Sequence, residues 1–202
     1  MALRQALDEL LSVLRERGVP IVDHLAPGLP AAEIGRLASL PISELGLPLH
    51  PDTAARADAV TPLALSAEMT EWFEVIGGFP PDSSARGWDL FLTPEFEPKS
   101  LPAALMARGD LVAWNGNPAW PDTYRVGIDR SLPLGTLSTL TFSAVVVAGS
   151  DTSPVSRWDM VSDLDTHLRP TWGSIEEMVR DWTARWRDGR FWFDPEDGFG
   201  ES

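Results

Sequence analysis

Four side chains that could bind a metal ion lie close together in the segment DMVSDLDTH: Asp159, Asp163, Asp165 and His167. In an extended chain, alternate residues point to the same side, so the last three would share one face. Carboxylate and imidazole ligands at this spacing could hold a divalent cation. The same carboxylates could form an acidic contact surface for a basic protein, or serve only solubility. Because the segment runs from a predicted strand to Pro170, we expect a solvated loop and no metal.

Aromatic side chains are concentrated in a second segment, AWNGNPAWPDTY, which is rich in turn-forming residues and is predicted to be a loop. Trp and Tyr dominate the binding energy of many protein interfaces, so Trp114, Trp120 and Tyr124 could anchor a partner. They could equally fold down to cap the core, which is the simpler role. The candidate partner-binding residues are therefore Asp159, Asp163, Asp165, Trp114 and Trp120.

Motifs of common catalytic sites are missing from the sequence. There is no G-x-S-x-G elbow, H-E-x-x-H pair, Walker A loop or dinucleotide fingerprint, and His24, His50 and His167 are scattered. The chain has no cysteine, which excludes disulfides, thiolate metal sites and cysteine nucleophiles. A carboxylate pair of the glycosidase type stays open, since the 30 acidic residues offer many accidental pairs. We expect no enzymatic activity and no cofactor.

The glycine pair in WFEVIGGF raises the question of a phosphate-binding loop. Phosphate sites use the N-terminus of a helix, where free N–H groups and the positive end of the helix dipole meet the anion. Gly77 and Gly78 instead follow the apolar stripe of a predicted helix, so they lie at its C-terminal end. Pro80 prevents its continuation. The pattern predicts a left-handed helix cap and a chain reversal.

Composition limits the classes of partner. The net charge is −14, which argues against nucleic acid and anionic membrane as partners because both require clustered Lys and Arg. Hydrophobic residues make up 44% of the 202 residues, which fits one globular domain, and no apolar run reaches membrane-spanning length. We expect a cytoplasmic protein whose acidic surface either attracts a basic partner or serves solubility alone.

Helix signals dominate the first part of the chain. Leucines at helical spacing predict an extra N-terminal helix over residues 1–18, ended by Gly18. Pro30 is placed to begin a second helix and Ser66 to cap a third. Residues 52–62 read as a loop or insertion.

Strand signals follow, and a helix closes the domain. Residues 137–149 and 154–160 predict an antiparallel pair, and the valine run predicts a central strand buried on both faces. Ser174 and Glu177 form a capping box that begins a closing helix, and residues 194–202 read as an acidic tail. This order predicts a single α+β domain: a mostly antiparallel central sheet flanked by N-terminal helices and a closing C-terminal helix.

Three segments resemble the SUKH superfamily, which includes the Smi/Knr-type cell-wall-assembly regulator domains. They are EIGRLASLPISELGLPL followed by LALSAEMTEWFEVIGGF, then SLPLGTLSTLTFSAVVVAGSDTSPVSRWDM, and finally TWGSIEEMVRDWTARWRDG. Together they span roughly residues 30–190. Two departures from the family pattern are the apolar AVVVA strand, where members often carry an acid, and Gly77, where Asn or Asp is more usual.

The resemblance implies a non-catalytic protein-binding module. Many bacterial members look like immunity proteins that neutralise a toxin encoded at the same locus, so a basic toxin domain is the expected partner. A regulatory or scaffolding protein of cell-wall or signalling pathways, without a toxin, is the alternative. An enzyme or small-ligand binder is a third possibility, and it would require a deep pocket with a strongly perturbed titratable residue.

Overall fold

A computed structural model describes residues 2–46, 62–79, 91–115, 130–137, 140–159 and 169–202. Within these segments the chain forms five α-helices, a four-stranded antiparallel sheet and a C-terminal β-hairpin. The predicted α+β class is therefore confirmed. None of the helices in these segments combines the length and the apolar composition that crossing a bilayer requires.

The helices are α1 (Ala2–Glu16), α2 (Ala31–Ser39), α3 (Ala67–Val75), α4 (Leu101–Asn115) and α5 (Ile175–Arg187). Short 3₁₀ turns, Pro20–Asp23 and Ile42–Glu44, follow α1 and α2. Helix α1 packs along α5 and α3, and α4 packs along the sheet.

Most predicted helix boundaries are confirmed. The Ser66 hydroxyl accepts a hydrogen bond from the Met69 N–H at the start of α3, and Ser174 caps α5 in the same way. Gly18 and Gly189, which follow α1 and α5, have φ of 69° and 73°. These positive angles disfavour every residue with a side chain, so glycine is the natural helix stop.

The sheet consists of β1 (Glu97–Pro98), β2 (Ser131–Leu137), β3 (Leu140–Val145) and β4 (Val155–Asp159), in that spatial order and antiparallel throughout. The antiparallel pairing of β3 and β4 was predicted. The single strand predicted over residues 137–149 was wrong, because Leu137 ends β2 and β3 begins only at Leu140. Pro133 and Gly135 weaken the strand signal of β2, which accommodates them through a register shift.

The valine run is not the doubly buried part of the central strand. Strand β3 is central, but its fully buried residues are Thr141–Ala144. Val145 and Val146 are only half-buried, and Val147 is 43% exposed. The prediction was wrong here because β3 ends at Val145 and the chain leaves the sheet.

Five aromatic side chains join the sheet to the helices: Trp72, Phe96, Phe142, Trp172 and Trp182. The rings of Phe96 and Phe142 meet edge to face at 5.1 Å, and Trp182 of α5 lies 4.7 Å from Phe96. Such contacts add about 0.5–1.5 kcal/mol per pair to simple burial. Trp182 therefore belongs to the core, as does Trp186, which is fully buried.

The glycine pair after α3 closes the helix against an earlier loop. Gly78 has φ of 71°, and its carbonyl accepts a hydrogen bond from the Ala26 N–H at 2.8 Å. The Leu29 N–H donates to the Phe73 carbonyl at 2.9 Å. The Leu29 N–H therefore satisfies a carbonyl in the last turn of α3. The predicted helix end at the glycine pair is confirmed, but the left-handed residue is Gly78, two residues beyond the C-cap Ile76, and not the first glycine of the pair.

This packing brings two backbones too close for a side chain at residue 28. A Cβ on Gly28 would lie 1.9 Å from the Glu74 carbonyl oxygen, which is backbone and cannot rotate away. Gly35 in α2, by contrast, has no neighbour within 4 Å of the same position.

We predict opposite effects for alanine at these two glycines. Gly28→Ala should lower the free energy of unfolding by about 2 kcal/mol or more, since the loop must move off α3. Gly35→Ala should raise it by about 0.5–1 kcal/mol, because alanine favours a helix. Urea unfolding measures both, and equal effects of the two substitutions would contradict the described packing.

A buried carboxylate joins three parts of the fold. The Glu68 side chain, on the first turn of α3, is buried. Its Oε2 accepts hydrogen bonds from the backbone N–H groups of Ser153, in the turn before β4, and Ile175, at 2.7 and 3.2 Å. Its Oε1 accepts from the Glu176 N–H at 3.2 Å.

The same carboxylate completes the N-terminus of α5. The first N–H groups of a helix have no partner within the helix. Glu68 serves those of Ile175 and Glu176, and Ser174 serves that of Glu177. In a capping box, the Glu177 carboxylate would accept a hydrogen bond from the N–H of the N-cap residue, Ser174. Here it accepts from the Gly173 N–H, one residue earlier. The helix dipole further favours a negative charge at this position.

We predict that Glu68→Ala lowers the free energy of unfolding by about 3 kcal/mol, because buried N–H groups lose their acceptor. Glu68→Gln should lower the free energy of unfolding by about half as much, since one acceptor oxygen remains. Glu95→Gln is the control: its ion pair with Arg157 is at the surface, so the change should stay within about 1 kcal/mol. If Glu68→Ala and Glu95→Gln were equally mild, the structural role of Glu68 would be refuted.

Candidate functional site

The acidic segment predicted as a metal or contact site is only partly described. Asp159 is the last residue of β4, where it pairs with Leu140 and is half-buried. Asp163, Asp165 and His167 lie outside the described residues. Among the described residues no group of three carboxylate or imidazole side chains could hold a metal ion. A role for the acidic segment in partner binding stays a prediction.

The two tryptophans predicted in a loop differ in position. Helix α4 extends through Asn115, so the backbone of Trp114 lies in its last turn and not in a loop. The side chain of Trp114 and the whole of Trp120 lie outside the described residues. The loop prediction for Trp114 was wrong because the helix continues into the turn-forming sequence.

Most arginines of the described segments are already neutralised within the protein. Seven of them contact a carboxylate within 4 Å. The pairs are Arg4 with Glu74, Arg36 with Glu33, Arg157 with Glu95, Arg180 with Glu176, Arg185 with Asp181, Arg187 with Glu9 and Arg190 with Asp188. Because the net charge is −14, acidic side chains outnumber the basic ones, and unpaired carboxylates remain on the described surface.

A β-hairpin carries part of this excess. The residues predicted as an acidic tail belong to β5 (Phe191–Asp194) and β6 (Gly198–Glu201), which pair directly after α5. Their turn holds Glu196 and Asp197, both exposed and both without an ion pair to any described residue. Asp194 fixes the turn, since its Oδ1 accepts from the N–H groups of these two residues at 2.7 and 3.0 Å.

An exposed indole lies on the same hairpin. Trp192 is 42% exposed and pairs across the strands with Gly200. A Cβ on Gly200 would lie 2.0 Å from the Trp192 ring, so the indole covers the glycine. Gly200 has no positive φ, so the indole position, not the backbone, requires a glycine there.

The sequence contains signals for this hairpin that our sequence reading missed. The segment FWFDPEDGFG has apolar residues on both sides of an Asp-Gly turn, which is a hairpin pattern. The density of acidic residues led us to predict a tail instead. No signal in the sequence shows that Trp192 is exposed while its neighbours Phe191 and Phe193 face inward.

A polar row crosses one face of the sheet. Register places Glu97 opposite Thr136, and Thr136 opposite Thr141. The hydroxyls of Thr141 and Ser156 are buried and have no hydrogen-bond partner among the described residues. Lys99 follows Glu97 by two residues and so lies on the same face of the chain.

Partial burial disfavours both charges of this pair. Desolvation raises the pKa of Glu97, and the nearby Lys99 ammonium partly offsets that rise. Desolvation likewise lowers the pKa of Lys99, with Glu97 acting in the opposite direction. The attraction between Glu97 and Lys99 thus opposes the cost of burying their charges. We interpret the pair as part of the fold and not as a binding site.

A surface groove between α2 and the segment before α3 is apolar. It has a volume of about 380 Å³ and is lined by residues that include Ile34, Ala38, Leu63 and Leu65. None of its described lining residues is titratable.

No protein-family model matches this chain, and no curated protein is significantly similar to it.

We predict that the Glu97 carboxyl makes stability depend on pH. A carboxyl whose pKa is raised in the folded state binds its proton more tightly there than in the unfolded chain. Its contribution to the free energy of unfolding is therefore present below its ordinary pKa of 4.5 and is lost as the pH rises through the folded pKa. The stability of wild type relative to Glu97→Gln should thus decrease as the pH rises above 4.5. Urea unfolding of both proteins over this range measures the difference, which would be constant if the carboxyl were fully solvated.

Proposed function

We propose that the chain is a non-catalytic protein-binding module, and specifically an immunity protein that neutralises a basic toxin domain through an acidic surface. The observation that supports this most is the distribution of charge. Seven arginines of the described segments are paired within the protein, whereas exposed acids such as Asp23, Glu44 and Glu196 make no ion pair with any described residue. Exposed arginines such as Arg15 and Arg169 are also unpaired within these segments, but the net charge of −14 makes the overall surface field negative, as a cationic partner requires.

Electrostatic complementarity would act mainly on association. A negative surface attracts a positively charged active site at long range and so raises the association rate. Blocking would then be steric, because the bound module covers the active site of the toxin. The resemblance of the chain to the SUKH superfamily supports this class of function.

Rigidity supports the same proposal. Interfaces that form fast and hold tightly use surfaces that change little on binding. Here the aromatic cluster and the Glu68 carboxylate tie α3, the sheet and α5 together, so the surface elements attached to them keep their positions.

We predict that co-expression with the product of the neighbouring gene restores growth to cells that the product alone inhibits, and that the two proteins co-purify. The association rate should fall at least about tenfold between low and high salt, since screening shortens the reach of surface charge. An unrelated acidic protein of similar size and net charge is the control and should not restore growth.

Failure of both rescue and co-purification would reject the immunity role. Co-purification with a neighbouring protein that is not toxic would instead favour a regulatory or scaffolding module. An association rate that does not change with salt concentration would refute the electrostatic part of the proposal.

A further inference from the structure

We propose that the outer face of the C-terminal hairpin is the docking surface, and that it receives an arginine- or lysine-rich segment of the protein partner. This inference rests on the proposed protein-binding function and names the surface and the chemistry of the partner. It concerns residues 190–202, which sequence reading treated mainly as a tail.

The inner face of the hairpin is occupied by the core. Phe191 is buried, and its ring lies 5.8 Å from that of Trp186. Phe193 and Phe199 pair across the strands at 4.9 Å, and Phe199 also contacts Trp186. Only the opposite face can meet a partner.

The outer face carries one large side chain. Because side chains alternate along a strand, Trp192 and Asp194 share this face with their cross-strand partners Gly200 and Gly198, of which Gly198 is buried. The two glycines leave no side chain beside the indole. An exposed indole lying on a glycine is an unpartnered aromatic surface, and a rigid aromatic residue of this kind is typical of binding hot spots.

Charge decides which partner fits. Beyond Asp194, the turn at the end of the hairpin carries Glu196 and Asp197, which are exposed and make no ion pair with any described residue. Arg190 lies at the other end of the same face and is held 3.6 Å from Asp188. An apolar partner would desolvate the free carboxylates without compensation, and nucleic acid would be repelled.

A segment with several cationic side chains satisfies both features at once. One arginine guanidinium can stack on the indole face while a neighbouring one donates hydrogen bonds to the turn carboxylates. A lysine ammonium can do the same with less directional contacts. The side of Trp192 toward the turn, away from Arg190, is where such a group would bind.

The test measures binding of a short fluorescein-labelled peptide of alternating arginine and glycine by fluorescence anisotropy at low salt. Trp192→Ala should weaken binding about fivefold. The double variant Glu196→Gln, Asp197→Asn should weaken it about fivefold as well. Gly200→Ala, which keeps every charge but displaces the indole, should also weaken it, and Arg190→Gln should strengthen it.

The matched control carries the same two chemical changes elsewhere. Asp23→Asn with Glu44→Gln removes two exposed acids from the 3₁₀ turns and should change the affinity less than about twofold. If both double variants weaken binding equally, the attraction is general and the docking surface is refuted. Absence of peptide binding to the wild type refutes it too. Circular dichroism and thermal unfolding confirm that each variant is folded.

The two proposals fail in different ways. Loss of growth rescue by wild type with retained peptide binding would reject the toxin partner but keep the hairpin surface. Growth rescue that survives Trp192→Ala and the Glu196, Asp197 double variant would keep the immunity role and reject the hairpin as its surface.

Discussion

The three hydrogen bonds accepted by the Glu68 carboxylate are the constraint on which the arrangement of this protein depends. They link the first turn of α3 to the turn before β4 and to the N-terminus of α5. A buried carboxylate is unfavourable without partners, and here backbone N–H groups and the positive end of a helix dipole supply them. The hydroxyls of Ser66 and Ser153, 2.7 Å apart, close the same region. One side chain thus fixes three segments that are distant in sequence.

The position of the hairpin follows from this link. Helix α5 begins at the Glu68 carboxylate and ends at Arg187, and β5 starts at Phe191, two residues after the left-handed Gly189. Trp186 and Phe191 pack together at that corner, so the hairpin is attached to α5 by a buried contact. The outer face with Trp192 is therefore carried by the same rigid unit as the core, which is what a docking surface requires.

Local chemistry made part of this fold predictable. Helix caps at Ser66 and Ser174 and the helix stop at Gly189 depend on a few neighbouring residues, so the sequence shows them directly. The role of Glu68 does not follow from its neighbours, because its partners lie far along the chain. Glu68 lies in the first turn of α3, but its carboxylate serves the N-terminus of α5. Only the tertiary structure brings the two together.

Competing signals explain the other differences. In β2, Pro133 and Gly135 argue against a strand, yet pairing with β3 on one side and β1 on the other overrides them. The many acidic residues at the end of the sequence suggested a tail, although they include the turn between two short aromatic strands. Exposure of Trp192 depends on the side of the hairpin that meets Trp186, and no local pattern encodes that choice.

Native-state hydrogen exchange of the Ile175 and Glu176 amides tests the role of Glu68 most directly. Amides in the first turn of a helix usually exchange fast, because they lack a partner within the helix. If Glu68 holds the fold together, these two amides will exchange only through global unfolding, with the same free energy as core amides such as that of Trp182. Fast exchange of these two amides through local opening of the α5 N-terminus, with the core amides still protected, would contradict this role of Glu68.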